Sequence, residues 1–440
     1  MKKKLTAVAA VAAVAMTLTA CSDPTVGTTG SNGDAAEVTW PEATADLTGT
    51  TLTLWAAQAS ASIPEAVIEA FEDATGATVD VITVPDPYEQ GIQTRVATGD
   101  MPDLAFWQPT PSMLTAINAS TNLQPLDGAP WLEHMDPAVR DVTGILDGTR
   151  YAALISSPTV QGVFYNRAVF ADHGIDVPTN WDELLEAART LHGEGQTAFF
   201  DFLSPTGWAT QWAVQVQLAD AAADGLWDRI NAGDEAFTDE TFLTAIENYK
   251  SMIDEGLFND NLASATFEDQ AAALLSGDAA MAFQINALVG AMQAQASAAE
   301  VDDAVGFFPI SPSGNVATVS PDQTNGVVAF RTGDADREAA ARQFLSFWMS
   351  DGYQTFIEDQ ATVSLLDTVD TPDSVPQVTR DLAAAVANSV GSIQAQAIVN
   401  PDLFLFLANM AQGTLTPEQA AQNTQDHFVQ LARALGAEGF

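Results

Sequence analysis

The chain of 440 residues carries 58 acidic and 15 basic side chains, and its formal net charge at pH 7 is −43. Such a negative surface disfavours nucleic acid, whose phosphates bind basic side chains, and it repels anionic ligands over a long range. We interpret the acidity as an adaptation to salt or for solubility. Binding of a cationic ligand is the alternative interpretation of the same charge.

The N-terminus has the pattern of a bacterial lipoprotein signal. Lys2–Lys4 precede a mostly apolar run that is too short for a membrane span and fits the apolar region of a signal peptide. The run ends in Leu18–Cys21, a lipobox of one aliphatic residue, two small residues and a cysteine. We therefore predict a signal peptide over residues 1–20 and a lipid on Cys21 that anchors the protein to the outer face of the cell membrane. Cys21 is the only cysteine, so no intrachain disulfide can form.

Residues 21–46 are predicted to form a flexible tether, because they are rich in Thr, Gly, Ser, Asp and Ala and lack apolar periodicity. The folded part is expected to begin near Leu47. The remaining length, about 390 residues, is typical of two domains of ordinary size.

Strands and helices alternate along the first part of the fold. Gly76 stands where a helix C-cap is expected. This alternation predicts an α/β lobe with a mostly parallel sheet. The predicted strands are 51–55, 79–84 and 104–107, and the predicted helices are 63–74 and 88–98.

A second unit of the same kind begins near Ser157. Thr179 or Asn180 is the candidate N-cap of its first long helix. The sequence thus predicts a second α/β lobe. The predicted strands of this unit are 162–165 and 279–283, and its first predicted helix is 181–191. Residues 335–350 and 416–435 are predicted as further amphipathic helices along the chain.

Five segments stand in the order of a known family's motifs. They are Gly99–Trp107, Gly148–Leu154, Phe164–Arg167 with the stretch up to Leu184, Ser276–Met281 and Ala335–Trp348. Together, behind a lipobox, they resemble the family 1 extracellular solute-binding proteins, the maltose-binding-protein-like substrate-binding lipoproteins of ABC sugar importers. The resemblance covers nearly all of residues 51–435.

The resemblance implies a two-lobed periplasmic-binding-protein-like α/β fold that closes on a ligand in the cleft between its lobes. The first lobe is expected to contain residues 47–156 and 303–350, and the second residues 157–302 and 351–440. We expect a monomer that passes a carbohydrate to the membrane permease subunits of an ABC-type importer. No cofactor and no metal are expected.

Ligand contacts in such a fold lie just after the strands that face the cleft. Tryptophan offers a flat apolar surface to the C–H face of a sugar ring, and glutamine and asparagine both donate to and accept from hydroxyl groups. We predict a neutral mono- or oligosaccharide stacked on Trp107 and Trp208. The full set of candidate ligand residues is Trp55, Gln58, Trp107, Gln108, Trp208, Trp212, Gln284, Asn286 and Asn325.

Other functions fit the sequence less well. It lacks the motifs of serine hydrolases, zinc proteases and P-loop proteins, and its four histidines show no metal-ligand spacing. We therefore expect no enzyme. Two alternatives stay open, a binder of a polyamine or another cationic or osmolyte solute, and a lipoprotein that assembles with other proteins and transports nothing.

Overall fold

The computed structural model describes residues 39–57, 63–85, 88–321, 325–437 and 439–440. The predicted lipid on Cys21 and the predicted ligand residue Gln58 lie outside these ranges. No helix within them is long and apolar enough to cross a membrane.

The strands of the described ranges are short and spread over the whole chain. They are β1 (Thr51–Ala57), β2 (Thr78–Val84), β3 (Leu104–Phe106), β4 (Ile145–Leu146), β5 (Thr149–Arg150), β6 (Ala152–Leu154), β7 (Val160–Asn166), β8 (Thr197–Phe199), β9 (Ala279–Gln284), β10 (Val305–Phe308), β11 (Ala317–Val319), β12 (Gly326–Ala329) and β13 (Ser389–Gly391).

Helices connect most of these strands. They are α1 (Glu65–Thr75), α2 (Tyr88–Ala97), α3 (Pro111–Ala116), α4 (Ala119–Asn122), α5 (Pro137–Arg140), α6 (Arg167–His173), α7 (Trp181–Gly193), α8 (Trp212–Gln215), α9 (Ala219–Ala223), α10 (Leu226–Ala232), α11 (Glu240–Asp254), α12 (Phe267–Ser276), α13 (Ala287–Gln293), α14 (Ala298–Ala304), α15 (Ala335–Trp348), α16 (Tyr353–Asp359), α17 (Gln377–Ala385), α18 (Ile393–Gln396), α19 (Leu403–Ala411) and α20 (Pro417–Leu435). Short 3-10 helices lie at Pro130–His134, Trp208–Gln211, Val216–Leu218 and Val386–Asn388.

The first sheet has the strand order β2-β1-β3-β12-β6. β1 is parallel to β2 and β3, with Leu54 opposite Val81 and Leu104, and β12 is antiparallel to β3 and β6. Every strand except β12 therefore runs in one direction. α1 buries Val67 and Phe71 at helical spacing, and it ends where Gly76 adopts a positive φ of 74°.

The second sheet has the order β13-β11-β7-β9-β8, and β10 also pairs with β7. β7 is antiparallel to β9, β10 and β11, so it alone opposes the other strands. α7 begins where the side chain of Asn180 accepts the backbone N–H of Glu183. The predicted pair of mostly parallel sheets flanked by helices is confirmed.

Each sheet has its own apolar core. The core of the first sheet draws its buried side chains from residues 52–155 and 327–366. The second sheet is covered on both faces, by side chains drawn from residues 160–319 and 378–432. The crossings between these cores therefore lie near residues 156–159, 320–326 and 367–377.

Two segments contribute to a different sheet or core from the one that was expected. β10 and β11, which the sequence analysis assigned to the first lobe, pair with β7 in the second sheet. α16, assigned to the second lobe, buries Tyr353, Phe356 and Ile357 in the first core. Apolar periodicity identifies a buried face but not the element that covers it, so the motif order placed both of these crossings too early along the chain.

Residues before Leu47 already pack on the first core. The ring of Trp40 meets the ring of Trp131 edge-on, with 5.1 Å between centroids. The side-chain amide of Gln343 in α15 donates to the carbonyl oxygen of Ala45 (2.8 Å). The described end of the predicted tether, residues 39–46, is therefore part of the fold, because Trp40 supplies an apolar anchor that composition alone did not reveal.

Candidate ligand site between the two sheets

The two sheets meet where the chain crosses between them. The backbone N–H of Ser320, just after β11, donates to the carbonyl oxygen of Thr159, just before β7 (2.8 Å). The side-chain amide of Gln108, just after β3, donates to the carbonyl oxygen of Pro321 (2.9 Å). The carboxyl ends of strands from both sheets thus lie close together, which is where ligands bind in open α/β sheets.

A chain of hydrogen bonds between uncharged side chains lies at this end of the second sheet. Nε2 of Gln161 donates to Oγ of Ser320 (2.5 Å) and to Oε1 of Gln215 (3.3 Å). Oε1 of Gln211 accepts from Nε2 of Gln215 (3.1 Å) and from Nε2 of Gln394 (2.7 Å). Oγ of Ser320 also lies 3.5 Å from Oε1 of Gln394. We call these five residues the amide network.

Local structure fixes the members of the amide network. Gln161 is the second residue of strand β7. Gln211 and Gln215 are four residues apart in consecutive helical turns, so they share one face. Gln394 lies in the short helix α18, whose first turn is capped by Ser392 because its Oγ accepts a backbone N–H (3.2 Å). Oγ of Ser392 also accepts from Ser320 (2.6 Å), which ties the cap to the network.

Three buried polar atoms in this region have no hydrogen-bond partner among the described residues. They are Oε1 of Gln161, Oγ1 of Thr318, which lies opposite Gln161 in the sheet, and the indole Nε1 of Trp212. Gln161 is 0% exposed and Trp212 5% exposed. An unpaired buried donor or acceptor costs about 1–3 kcal/mol. The region therefore holds buried polar atoms whose hydrogen-bonding capacity the described residues do not satisfy.

An aromatic cluster adjoins the amide network through Trp208. Its partly buried ring meets the rings of Phe202, Phe267 and Trp212 edge-on, with centroid distances of 5.3, 5.2 and 6.0 Å. The side-chain amide of Gln211 donates to the carbonyl oxygen of Trp208 (2.9 Å). Three aromatic neighbours thus hold the ring of Trp208 in place, and the side chain stays partly exposed.

A cavity of about 410 Å³, a volume within the range of small-molecule sites, lies beside segments that cross between the two cores. Oδ1 of Asn286 accepts the backbone N–H of Val160 (2.8 Å). Nδ2 of Asn325 donates to the carbonyl oxygen of Ser157 (2.9 Å). We call this cavity the crossover pocket, and none of its described lining side chains is charged. The lining residues are Ser156, Ser157, Thr159, Ile285, Asn286, Ala287, Gly290, Asn325, Phe356, Gln360, Thr362, Val363 and Thr379.

The structure brings several predicted ligand residues together. Trp208 and Trp212 share the aromatic cluster, Asn286 and Asn325 line the crossover pocket, and Gln108 bridges the two sheets. These five lie around the carboxyl ends of the strands.

Three predicted ligand residues lie elsewhere. The ring of Trp107 is 0% exposed and its Nε1 donates to the carbonyl oxygen of Met113 (3.0 Å). Trp55 is buried beneath the guanidinium of Arg95, which lies 4.9 Å from the ring centroid. Gln284 is fully buried, and its amide donates to Oε1 of Gln270 (3.0 Å). A residue that stacks on a sugar needs an exposed ring face, and a residue that binds its hydroxyl groups needs an accessible hydrogen-bonding atom. We therefore leave these three residues out of the proposed site.

Sequence reasoning missed four glutamines of the amide network, Gln161, Gln211, Gln215 and Gln394. Two of them carried a signal, because Gln211 and Gln215 repeat at the four-residue spacing of Trp208 and Trp212 in the same segment. Gln161 and Gln394 carried none. Their role depends on neighbours that are distant along the chain.

A buried carboxyl group lies just after β8, beside the aromatic cluster. Burial raises the pKa of Asp201 from 3.8 to about 7, although hydrogen bonds from Phe202 and Tyr249 oppose the shift. Its Oδ1 accepts the backbone N–H of Phe202 (2.8 Å) and its Oδ2 accepts the hydroxyl of Tyr249 (3.1 Å). No described cation pairs with Asp201. The carboxyl group therefore has its pKa inside the physiological range.

Metal-ion clusters are not found in the described ranges. No group of three or more His, Cys, Asp or Glu side chains there is arranged to hold a metal ion. The chemistry that these ranges offer at the site is hydrogen bonding by amides and hydroxyls and contact with aromatic rings.

Two curated relatives match part of the chain. An osmoprotective compounds-binding protein of Synechocystis sp. is 28% identical over 191 residues, which cover 42% of this chain and 44% of the relative. A multiple sugar-binding protein of Streptococcus mutans is 22% identical over 246 residues, which cover 55% of this chain and 57% of the relative. The chain thus matches about half the length of these relatives.

Solved structures match most of the length of this chain. A chitin oligosaccharide binding protein superposes with a TM-score of 0.71 at 22% identity, over 87% of this chain and 98% of the other. At this identity the match concerns the fold. Residues 56–355 match the bacterial extracellular solute-binding protein family. The chain therefore belongs to this family, the family 1 solute-binding proteins, and the resemblance noted in its sequence motifs is confirmed.

Proposed function

We propose that this protein captures a neutral carbohydrate between its two sheets and delivers it to the permease subunits of an ABC-type importer. The two lobes close on the ligand, and the protein itself catalyses no reaction. The observation that carries the proposal is the amide network beside Trp208, because it combines uncharged hydrogen-bonding groups with a partly exposed aromatic ring. A sugar presents the matching surfaces, a hydroxyl rim and an apolar C–H face.

The amide network and the crossover pocket contain no charged side chain among their described residues, which supports a neutral ligand. The amide network consists of four glutamines and a serine, and the described lining of the crossover pocket is also uncharged. A polyamine would bury ammonium groups, which need carboxylate partners. The carboxyl group beside the aromatic cluster, Asp201, is buried and already accepts hydrogen bonds from Phe202 and Tyr249, so the polyamine alternative from the sequence is weaker.

An osmoprotective solute is the second candidate. The relative from Synechocystis is named for binding osmoprotective compounds, and a neutral polyol or glycoside among such compounds would suit the same amides. A zwitterionic solute would suit them less, because its carboxylate needs a cation or several N–H donors.

The place of action follows from the family and from the N-terminal sequence. The family is extracellular. We propose that the signal peptide over residues 1–20 is removed and that a lipid on Cys21 holds the protein at the outer face of the membrane, where a monomer meets the importer.

A thermal-shift screen of the mature protein tests the ligand class. The compounds are neutral mono- and oligosaccharides, glycerol-based glycosides, spermidine and glycine betaine, at one pH and ionic strength. A ligand that binds only the folded state raises the melting temperature by mass action. A rise with sugars supports the proposal. A rise with spermidine or betaine and none with any sugar or glycoside overturns it.

A further inference from the structure

The amide network approaches the protein surface at one of its five members. Gln161, Gln211, Gln215 and Ser320 are each at most 7% exposed, whereas Gln394 is half-buried. A molecule that lies outside the core does not reach a fully buried amide. Gln394 is therefore the member through which the network can contact a ligand, and the other four members support it from within the core.

The side-chain amide of Gln394 has unused hydrogen-bonding capacity. Its Nε2 donates one hydrogen to Oε1 of Gln211 (2.7 Å), and the second hydrogen has no partner among the described residues. Its Oε1 lies 3.5 Å from Oγ of Ser320, at the outer limit of a hydrogen bond. The single hydroxyl hydrogen of Ser320 has a nearer acceptor in Oγ of Ser392 (2.6 Å). Gln394 thus offers a donor and an acceptor, and a sugar hydroxyl can use both.

Gln211 fixes the direction of this amide. Its Oε1 accepts from Gln215 and from Gln394, and its Nε2 donates to the carbonyl oxygen of Trp208 (2.9 Å). Exchanging the nitrogen and the oxygen of Gln394 would break its bond to Gln211, because two oxygens would then face each other. Gln211 therefore holds Gln394 in one orientation and ties it to the segment that carries the partly exposed ring of Trp208.

Gln394 lies where segments of the two cores meet. Its helix, α18, packs against α3 of the first core. A cavity of about 460 Å³ adjoins this contact, and its lining includes Pro111 of α3 and Ala395 of α18 together with the exposed carboxylates of Asp141 and Asp228. Gln394 is therefore one residue away from a space that both cores line.

We propose that Gln394 is the specificity-determining residue of the amide network, binding one hydroxyl group of the sugar, and that Gln211 is the positioning residue that fixes its amide. This inference rests on the proposed function and adds the residue that discriminates between similar sugars. A sugar that lacks this hydroxyl leaves the amide of Gln394 without a partner and binds less tightly.

Monodeoxy sugars test the assignment, because each of them removes one hydroxyl group. Calorimetry is performed with glucose, galactose, maltose and cellobiose and with the monodeoxy analogues of each. For at least one analogue, wild type should bind roughly tenfold less tightly than it binds the parent sugar. In Gln394→Ala, the parent and that analogue should bind within about twofold of each other, and the penalties of the other analogues should persist.

Two further variants separate contact from positioning. Gln394→Asn shortens the side chain by one methylene group, and it should reduce the same penalty while keeping an amide at the surface. Gln211→Leu removes the acceptor that holds Gln394, so it should reduce this penalty although Gln394 is present. A loss of folding alone would weaken the parent and every analogue by the same factor.

Gln354→Ala is the matched control. Gln354 is also half-buried and its amide donates to another side chain, that of Glu358, but it lies in α16 of the first core. This variant should leave the ratio of affinities between each parent sugar and its analogues unchanged.

Ratios that are the same in wild type and in both Gln394 variants overturn the inference and leave the proposed function standing, since the sugars still bind. The same holds for a uniform loss of affinity with unchanged ratios. If none of the four sugars binds, the inference is overturned, and a thermal shift from betaine or spermidine in the absence of one from any sugar or glycoside overturns the proposed function as well. The two failures are thus distinguishable.

Discussion

Gln161 in β7 donates its side-chain amide to Oε1 of Gln215 in α8, 3.3 Å away. The bond joins residues 54 positions apart and connects the sheet to the segment that carries Trp208. It also holds Gln161 with its own Oε1 unpaired. Gln161 is thus fixed by two donated bonds, while its buried acceptor has no partner among the described residues.

Replacing Gln161 should weaken sugar binding. Gln161→Leu keeps the size of the side chain but removes the donor to Gln215 and Ser320 and the free acceptor. We expect affinity to fall roughly tenfold, or about 1.4 kcal/mol, measured by calorimetry with the sugar found in the screen.

Gln343→Leu is the matched control for this substitution. Gln343 is also buried and its amide donates to backbone carbonyl oxygens, but in the first core. It should lower the melting temperature without changing affinity. Unchanged affinity in Gln161→Leu would remove the amide network from the site.

Trp208 should supply the stacking surface. Trp208→Ala removes an aromatic face next to the amide network, and truncation of such a contact costs about 2 kcal/mol or more, roughly thirtyfold in affinity. Titration with the sugar measures it. Trp40→Ala is the control, because Trp40 is also partly buried and packed edge-on against another tryptophan, away from the site. Similar affinities in the two variants would contradict the role of Trp208.

The fold was predictable from local patterns. Apolar periodicity located β1, α1 and α7, and Asn180 proved to be the cap of α7. Those features depend on residues close in sequence. The division of residues 303–366 between the two cores does not, because an apolar face carries no information about which sheet covers it.

The candidate site was predictable only in part, and Trp107 shows why. Its position after β3 was right, but its backbone N–H donates to the carbonyl oxygen of Gly326 (3.0 Å) and continues the sheet. Side chains alternate along an extended strand, so this continuation turns the indole into the core. The amide network was unpredictable for another reason. Gln161 and Gln394 are far apart along the chain and are brought into one network only by folding.

The anchor is tested by Cys21→Ser. A serine offers no thiol to receive the lipid, so the variant should appear in the medium or keep its signal peptide. Membrane fractionation and mass spectrometry of the N-terminus measure both results. Ser22→Ala, the adjacent substitution, should stay in the membrane fraction. A normally processed, membrane-bound Cys21→Ser protein would refute the lipobox interpretation.

Asp201 should make stability depend on pH. Burial raises its pKa to about 7 in the folded protein, against the ordinary value of 3.8. Between these values the folded state holds a proton that the unfolded state has lost, so the free energy of unfolding falls as pH rises from about 4 to about 7. Above pH 7 the loss is complete, and the shift corresponds to a destabilisation on the order of 4 kcal/mol.

Asp201→Asn removes this pH dependence and keeps an acceptor for the backbone N–H of Phe202. Its melting temperature relative to wild type should therefore rise from pH 4.5 to about pH 7 and level off by pH 8, as measured by calorimetric scans in buffers of equal ionic strength. Asp278→Asn is the control, since Asp278 is exposed, and its difference from wild type should stay constant over the same range. Because Phe202 packs on Trp208 at 5.3 Å, ionisation of Asp201 also adds a charge close to the aromatic cluster. A constant difference between Asp201→Asn and wild type would show that this carboxyl group is ionised in the folded protein throughout the range.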